Sequence, residues 1–521
     1  MNCQKEHDEL ILVLDFGSQH AQLLAQRVRE TQTYCEIVPC SATAEEIAKR
    51  SPIGLIFSGS PCGVHDADAP KVDPGVYKLG VPILGVCYGA QVASREFGAT
   101  VAESAGRNYA AAELELNAAG AANPLFDGVS RKSQAWTSLS DQITDLPAGV
   151  TVLASTPTCP NAAFMCEAGQ FYGVQFQPEV TQTTEGHRVV ANFVKKICKS
   201  SCSWTMASFI ETSIAQIRKQ VGTERVICGL SGGVDSAVVA ALISRAVGSQ
   251  LTCIFVDTGL MRKNEIDSVA KVFRENFEAN LVVVDAEERF LTLLKDVEDP
   301  QEKRKIIGKT FIDVFSEEAT KIDGAKFLAQ GTIYPDIVES GGDKPGQGAT
   351  IKFHHNVGGL PEDLEFELVE PLRELYKGDV RRVGLELGLP ENIVWRHPFP
   401  GPGLAVRCLG GVTKAKLDCL READAIVVDE IVKAGLYRET SQVFAVFLPV
   451  RSVGVTGEGR TYENVIAIRC VSTIDFMTAD WCRVPYDVLA KISTRIINEV
   501  DGINRVVYDI SAKPPATIEW E

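Results

Sequence analysis

Two short strings carry residue types at spacings that could do chemistry. The first is Ser231-Gly232-Gly233-Val234-Asp235-Ser236, set between the apolar run 225–230 and the helical pattern 237–246. A strand feeding a glycine-rich loop at the start of a helix aims successive backbone N–H groups at one anion, and the helix N-terminus adds partial positive charge. No Gly-Lys-Ser/Thr closes the loop, so it is not a Walker A sequence. Asp235 adds a hard oxygen ligand suited to Mg2+ held against phosphates. A plain glycine turn is the simpler alternative. The second string is Gly85-Val86-Cys87-Tyr88-Gly89, where an apolar run again turns into a helical pattern. A nucleophile between two glycines at such a turn is an elbow: the side chain is presented at the strand's C-terminal end, and the helix N-terminus favours its anion. The alternative for Cys87 is a buried structural thiol.

The elements that must position these strings follow from the hydrophobic pattern. Buried-strand runs at 9–15, 35–39, 54–58 and 81–86 alternate with helical segments such as 18–30 and 90–97. A small polar stretch at 198–203 reads as a linker. A helix at 204–220 then precedes strands at 225–230, 251–257, 280–285 and 326–330, with a helix at 265–277. Both patterns predict doubly wound α/β sheets, with ligands at the C-terminal ends of the strands, where the 231–236 loop and Asp257 lie. The segment 395–407 holds three prolines and two glycines and can be neither helix nor central strand. Helices at 413–432 and 486–498 and strands at 442–450, 464–471 and 505–511 make a small α+β domain beyond it. The expected organisation is therefore two doubly wound parallel-sheet domains, 1–200 and 201–396, followed by a small α+β domain, 397–521.

Composition sets limits on partners. The chain has 521 residues, 45% of them hydrophobic, and a formal net charge of −16. That charge disfavours nucleic acid and anionic membrane surfaces as partners. No apolar run approaches the ~18 residues of a membrane span, and the polar first ten residues lack a signal-peptide core. Fifteen scattered cysteines with no Cys-x-x-Cys pair read as reduced thiols of a cytoplasmic protein rather than a disulfide or zinc framework. The basic run Lys303-Arg304-Lys305 stands out in an acidic chain, although such runs usually form a solvated helix face. The glycine-rich stretch 340–356 carries Lys344, Lys352, His354 and His355 and reads as a lid whose residues contact phosphate or substrate. The tail 511–521, with Lys513, a Pro-Pro brace, Ile518 and Trp520, reads as tied down rather than frayed.

Residues 9–199 resemble a class I glutamine amidotransferase domain on the segments Asp15-Phe-Gly-Ser-Gln19, Ser58-Gly-Ser-Pro61, Gly85-Val-Cys-Tyr-Gly89 and Gly173-Val-Gln-Phe-Gln-Pro-Glu-Val180. The Ser231–Ser236 loop resembles that of the ATP pyrophosphatases. The strings Gln330-Gly-Thr-Ile-Tyr-Pro-Asp336, His354-His-Asn-Val-Gly-Gly359, His397-Pro-Phe-Pro-Gly-Pro-Gly-Leu-Ala-Val-Arg407 and Lys513-Pro-Pro-Ala-Thr-Ile-Glu-Trp-Glu521 are similar to the GMP synthetase family over essentially the whole chain.

The resemblance implies a ligase that takes ATP and Mg2+, activates the C2 oxygen of XMP as an adenyl intermediate with release of pyrophosphate, and lets ammonia displace AMP to give GMP. It implies that Ser231, Gly232, Gly233, Val234, Asp235, Ser236, Asp257, Gln330 and Gly331 hold ATP, with Asp235 on the metal. Arg304, Lys352, His354, Lys513, Thr517, Ile518 and Glu519 are implied contacts for XMP, and 397–521 is implied to be a homodimerisation unit. In the amidotransferase family a Cys–His–Glu triad hydrolyses glutamine to ammonia. Here Cys87 and Glu179 are in place, but Gln177 stands at the histidine position. An amide cannot accept the thiol proton, so free ammonia is the expected nitrogen donor. Gly59-Ser60, Arg107-Asn-Tyr-Ala110 and Ser138-Leu-Ser-Asp141 also depart from the family's glutamine-pocket segments. Two alternatives remain: a fully glutamine-dependent synthetase in which His20, His65 or His187 replaces the missing base, and a first domain that senses glutamine or docks without hydrolysing it.

Overall fold

The computed structural model describes residues 9–18, 20–168, 170–339, 366–457, 459–473, 476 and 478–521. The chain divides into two compact units, residues 1–209 and 210–521. In the first, strands Tyr34–Pro39, Leu10–Asp15, Gly54–Phe57, Ile83–Val86 and Phe171–Val174 pair in that order, all parallel. Their central members are buried on both faces, as continuous apolar runs require. The sheet then continues antiparallel through Cys159–Cys166, Val150–Thr156, Thr100–Leu116 and Lys132–Asp145. This antiparallel half was not expected. Its strands cover the core on one side only: Leu114 and Leu116 are buried while Glu113 and Glu115 are exposed.

The stretch expected as a linker is bound back to the first unit. Ser200 Oγ and the Ser201 N–H both donate to the Glu9 carboxylate, each at 2.8 Å to Oε2. Short polar side chains that find a local carboxylate do not behave as a free tether.

The second unit holds a five-stranded parallel sheet, ordered Asn280–Asp285, Leu251–Asp257, Arg225–Leu230, Ala325–Ala329 and Glu367–Val369. A four-stranded sheet follows: Gln442–Thr456 and Asp480–Trp481 pair antiparallel with Gly459–Ser472, and Ile503–Asp509 pairs parallel with it. Helices Lys414–Lys433 and Tyr486–Glu499 belong to this second layer. One apolar cluster runs through both sheets, from Ile227, Ile254 and Phe315 through Leu404 to Val427, Ile468 and Ile492. The segment 395–407, expected to mark a boundary, thus lies within a shared core: Leu404, Ala405 and Val406 are fully buried. No helix among the described residues is long and apolar enough to cross a membrane.

Candidate functional site

The strand Ile83–Val86 ends at Cys87, whose backbone takes φ +48°. That left-handed conformation is strained for a residue with a side chain and marks an elbow. The helix that follows packs closely against the neighbouring strand: a methyl group at Gly89 would lie 2.5 Å from the Phe57 carbonyl oxygen. The Cys87 N–H donates to the Val174 carbonyl at 2.8 Å, which ties the elbow to the strand leading to Gln177 and Glu179. Gln177 is held by its backbone, donating to Trp136 O at 2.9 Å and accepting from Thr183 Oγ1 at 2.6 Å. Its side-chain Oε1 is buried with no hydrogen-bond partner among the described residues, as is Glu179 Oε2.

Arg27 is a cation that bears on Glu179 here. Burial pushes the Cys87 thiol well above its ordinary range, and the charges of Glu179 and Cys159 push the same way. Burial also raises the Glu179 carboxyl to about 8, against the opposing effects of its own backbone N–H and Arg27. Of the three other histidines weighed as substitutes, His65 is engaged through Nε2 with Val101 O at 2.9 Å, and His187 is exposed on helix Gly186–Asn192. His20 Nδ1 lies 3.7 Å from Glu179 Oε1. The departing segments 107–110 and 138–141 are neighbours in register, with Asn108 opposite Leu139 and Tyr109 opposite Ser138.

The glycine-rich loop of the second unit connects strand Arg225–Leu230 to helix Val234–Val247. Gly232 takes φ +72°, and a methyl group there would meet Arg396 Nη1 at 2.9 Å, so only glycine lets the loop curl past this guanidinium. Ser231 Oγ and Ser236 Oγ lie 3.1 Å apart, and Ser236 Oγ donates to Gly233 O at 3.1 Å. Asp235 Oδ2 pairs with Lys377 Nζ, whereas Oδ1 is buried with no partner among the described residues. Gly331 faces it: a methyl group there would lie 3.2 Å from Asp235 Cβ. Gln330 follows strand Ala325–Ala329, and its N–H donates to Val369 O at 3.0 Å. Asp257 ends strand Leu251–Asp257, on the other side of Arg225–Leu230, and accepts the Gly259 N–H at 2.8 Å. Burial raises its carboxyl, with Asp285 and Glu287 adding to the effect.

Three cations missed in the sequence surround this loop. Lys377 meets Asp235, Arg396 Nη1 donates to Gly232 O at 2.5 Å, and Arg381 is brought near Asp235 with its pKa lowered by burial. Lys377 and Arg381 sit four residues apart on helix Lys377–Glu386, a spacing that puts both on one face.

The tail is pinned by buried cations. Arg469 donates to Ser511 O at 2.6 Å, Thr517 O at 3.1 Å and Ile518 O at 3.4 Å. Arg407 holds Glu519 through two bonds of 3.0 and 2.8 Å, and Gln442 Nε2 donates to the same carboxylate at 3.0 Å. Lys303, fully buried rather than on a solvated face, pairs with the Glu521 side chain, while Arg304 donates to Glu521 O at 2.5 Å. Lys513 Nζ donates to Phe476 O at 2.7 Å. Arg304, Thr517, Ile518 and Glu519 are thus gathered around one tail. Lys352 and His354, with the rest of the expected lid at 340–356, lie outside the described residues.

Comparison with known proteins covers each of these regions. The family model described as glutamine amidotransferase class-I matches residues 12–197, that for NAD synthase matches 206–309, and that for the GMP synthase C terminal domain matches 429–520. Over 520 residues the chain is 54% identical to the glutamine-hydrolysing GMP synthase of Tolumonas auensis, with 99% of each chain covered. The enzyme of the same name from Aeromonas salmonicida is 53% identical over 523 residues, with 99% of each covered. That of Acetivibrio thermocellus is 54% identical over 516 residues, covering 99% of this chain and 100% of the relative.

Proposed function

The chain belongs to the family of glutamine-hydrolysing GMP synthases, ATP-dependent ligases, and from that premise we propose that it aminates XMP to GMP with free ammonia as its effective nitrogen donor. The observation that carries the donor assignment is Gln177. Its amide occupies the triad's histidine position and cannot take the Cys87 proton or return one to a departing ammonia. Burial and the adjoining Glu179 both oppose the Cys87 thiolate, and no imidazolium at position 177 offsets them. Loss of one triad member lowers rates by several powers of ten.

In the synthetase half, the backbone N–H groups of 231–236 and the start of helix Val234–Val247 bind the β- and γ-phosphates of ATP. Lys377, Arg381 and Arg396 offset their charge in a chain that is acidic overall. Mg2+ fits at Asp235, whose Oδ1 is a buried hard oxygen without a partner among the described residues. The ion, when bound, neutralises charge on the phosphates. Arg304, Lys352, His354, Lys513, Thr517, Ile518 and Glu519 hold XMP so that its C2 oxygen lies in line with the α-phosphorus. Most of the rate then comes from positioning and charge neutralisation. The α+β part, 397–521, forms a homodimer; exposed Val450, Val453, Val455 and Tyr462 on its longest strands support that reading. The protein acts in the cytoplasm.

The test is GMP formation from XMP and ATP·Mg2+ with ammonium or glutamine as the sole donor. Ammonium should support turnover, and glutamine should be slower by at least about 100-fold. Equal rates with the two donors would overturn the donor assignment.

A further inference from the structure

We infer that the glutamine hydrolysis left in this chain runs through His20, which replaces the imidazole missing from position 177 and is held in place by Glu179. This rests on the reading that Gln177 has removed the original base. His20 Nδ1 lies 3.7 Å from Glu179 Oε1, the carboxylate that would orient the triad imidazole. The His20 backbone is fixed on the same side: its N–H donates to Ser18 Oγ at 3.0 Å. Helix Ala21–Arg29, which follows directly, is tied to Glu179 again by Arg27 Nε, which donates to Glu179 O at 3.1 Å. This loop also borders the nucleophile. A methyl group built at Gly59 would lie 3.7 Å from Ser18 Oγ and 4.0 Å from Cys87 Cβ. The His20 ring is about a third exposed, whereas the Glu179 carboxyl is buried.

The chemistry balances with water as the only co-reactant. The neutral His20 ring takes the Cys87 thiol proton as sulfur bonds to the glutamine amide carbon. The imidazolium passes that proton to the amide nitrogen, the C–N bond breaks, and ammonia leaves a thioester on Cys87. Water then adds to the thioester carbon while His20 takes its proton. The C–S bond breaks, the proton returns to sulfur, and glutamate is released.

The experiment measures glutamate release from glutamine by the full chain with XMP and ATP·Mg2+ present, against a Cys87→Ala blank. Four proteins are compared: wild type, His20→Gln, Gln177→His and the double variant. Wild type should exceed the blank, and His20→Gln should lower the excess by at least about 10-fold, a typical share for a general base. In the Gln177→His background the His20→Gln change should cost less than about 3-fold, because position 177 again supplies the base. A wild type at the level of the blank, a smaller loss in His20→Gln, or an equal loss in both backgrounds overturns the inference; the last marks a merely structural role. The donor assignment fails separately, if glutamine sustains GMP formation as fast as ammonium.

Discussion

An imidazole and a carboxamide differ little in size, yet only the imidazole takes and gives a proton near neutral pH. At position 177 that difference is what supports the proposal that free ammonia is the nitrogen donor. The surroundings have kept the shape of a triad: the elbow at Cys87 is strained, Glu179 is buried, and the backbone of Gln177 is bonded on both sides. On the proposed reading, what position 177 no longer supplies is an imidazole to take the thiol proton. Gln177→His should therefore raise glutamate release by at least about 100-fold over wild type, measured with XMP and ATP·Mg2+ present. A gain under about 10-fold would place the main defect in the neighbouring pocket segments 107–110 and 138–141 rather than in the base. This residue was legible without coordinates, because a missing proton acceptor is visible in a motif. The nearness of His20 to Glu179 was not, since 158 intervening positions of chain conceal it.

At the scale of elements, the tail and the Pro-Gly segment are held by groups that are costly to leave alone. Arg407 is fully buried, stacks 3.8 Å from the Phe444 ring centroid, and has Glu519 as its carboxylate partner. Glu519→Ala leaves that guanidinium buried without a counter-charge and should destabilise the second unit by about 3–5 kcal/mol in chemical denaturation. A change below about 1 kcal/mol would show that the pair does not pin the tail. His397 adds a pH dependence. Its ring stacks on Tyr437 at 3.8 Å, and burial lowers its pKa to about 4, with Arg262 and Arg381 contributing and the Tyr437 backbone opposing. In the unfolded chain the ring titrates at 6.5, so between 6.5 and 4 the unfolded state binds more protons. Its contribution is complete above about pH 6.5 and declines as the pH falls toward 4, by on the order of 2–3 kcal/mol. Urea midpoints at pH 7 and pH 4.5 should show a smaller loss in His397→Asn than in wild type; parallel losses would remove His397 as the cause.

Across the whole molecule, what could be read from the sequence was the set of continuous buried runs. Strands Leu251–Asp257 and Asn280–Asp285 match the pattern residue for residue: the first is covered on both faces and so is largely apolar, and the second, a half-exposed edge strand, still carries the apolar, mostly β-branched run Leu281–Val284 between polar ends. The hairpin Thr100–Leu116 with Lys132–Asp145 escaped notice, since alanine, serine and glutamate make a faint alternation. Helix Pro300–Ala319 was hidden by its basic run, because the groups that let Lys303 be buried, the Ala405 and Cys408 carbonyls and the Glu521 carboxylate, lie 102, 105 and 218 residues away. The same non-local contacts fix how the molecule should come apart. The first unit has its own nine-stranded sheet, whereas the two sheets of the second share one apolar cluster from Ile227 to Ile503. A core common to both sheets cannot melt from one and leave the other folded, so the break at 396/397 should not appear as a separate transition. Calorimetry of the full chain should show two transitions. ATP·Mg2+ with XMP should raise only the one belonging to residues 210–521, by about 2.7 kcal/mol at a hundred times the dissociation constant. A third transition would separate the two sheets energetically, and a ligand-induced rise of both transitions together would show that the two units are coupled.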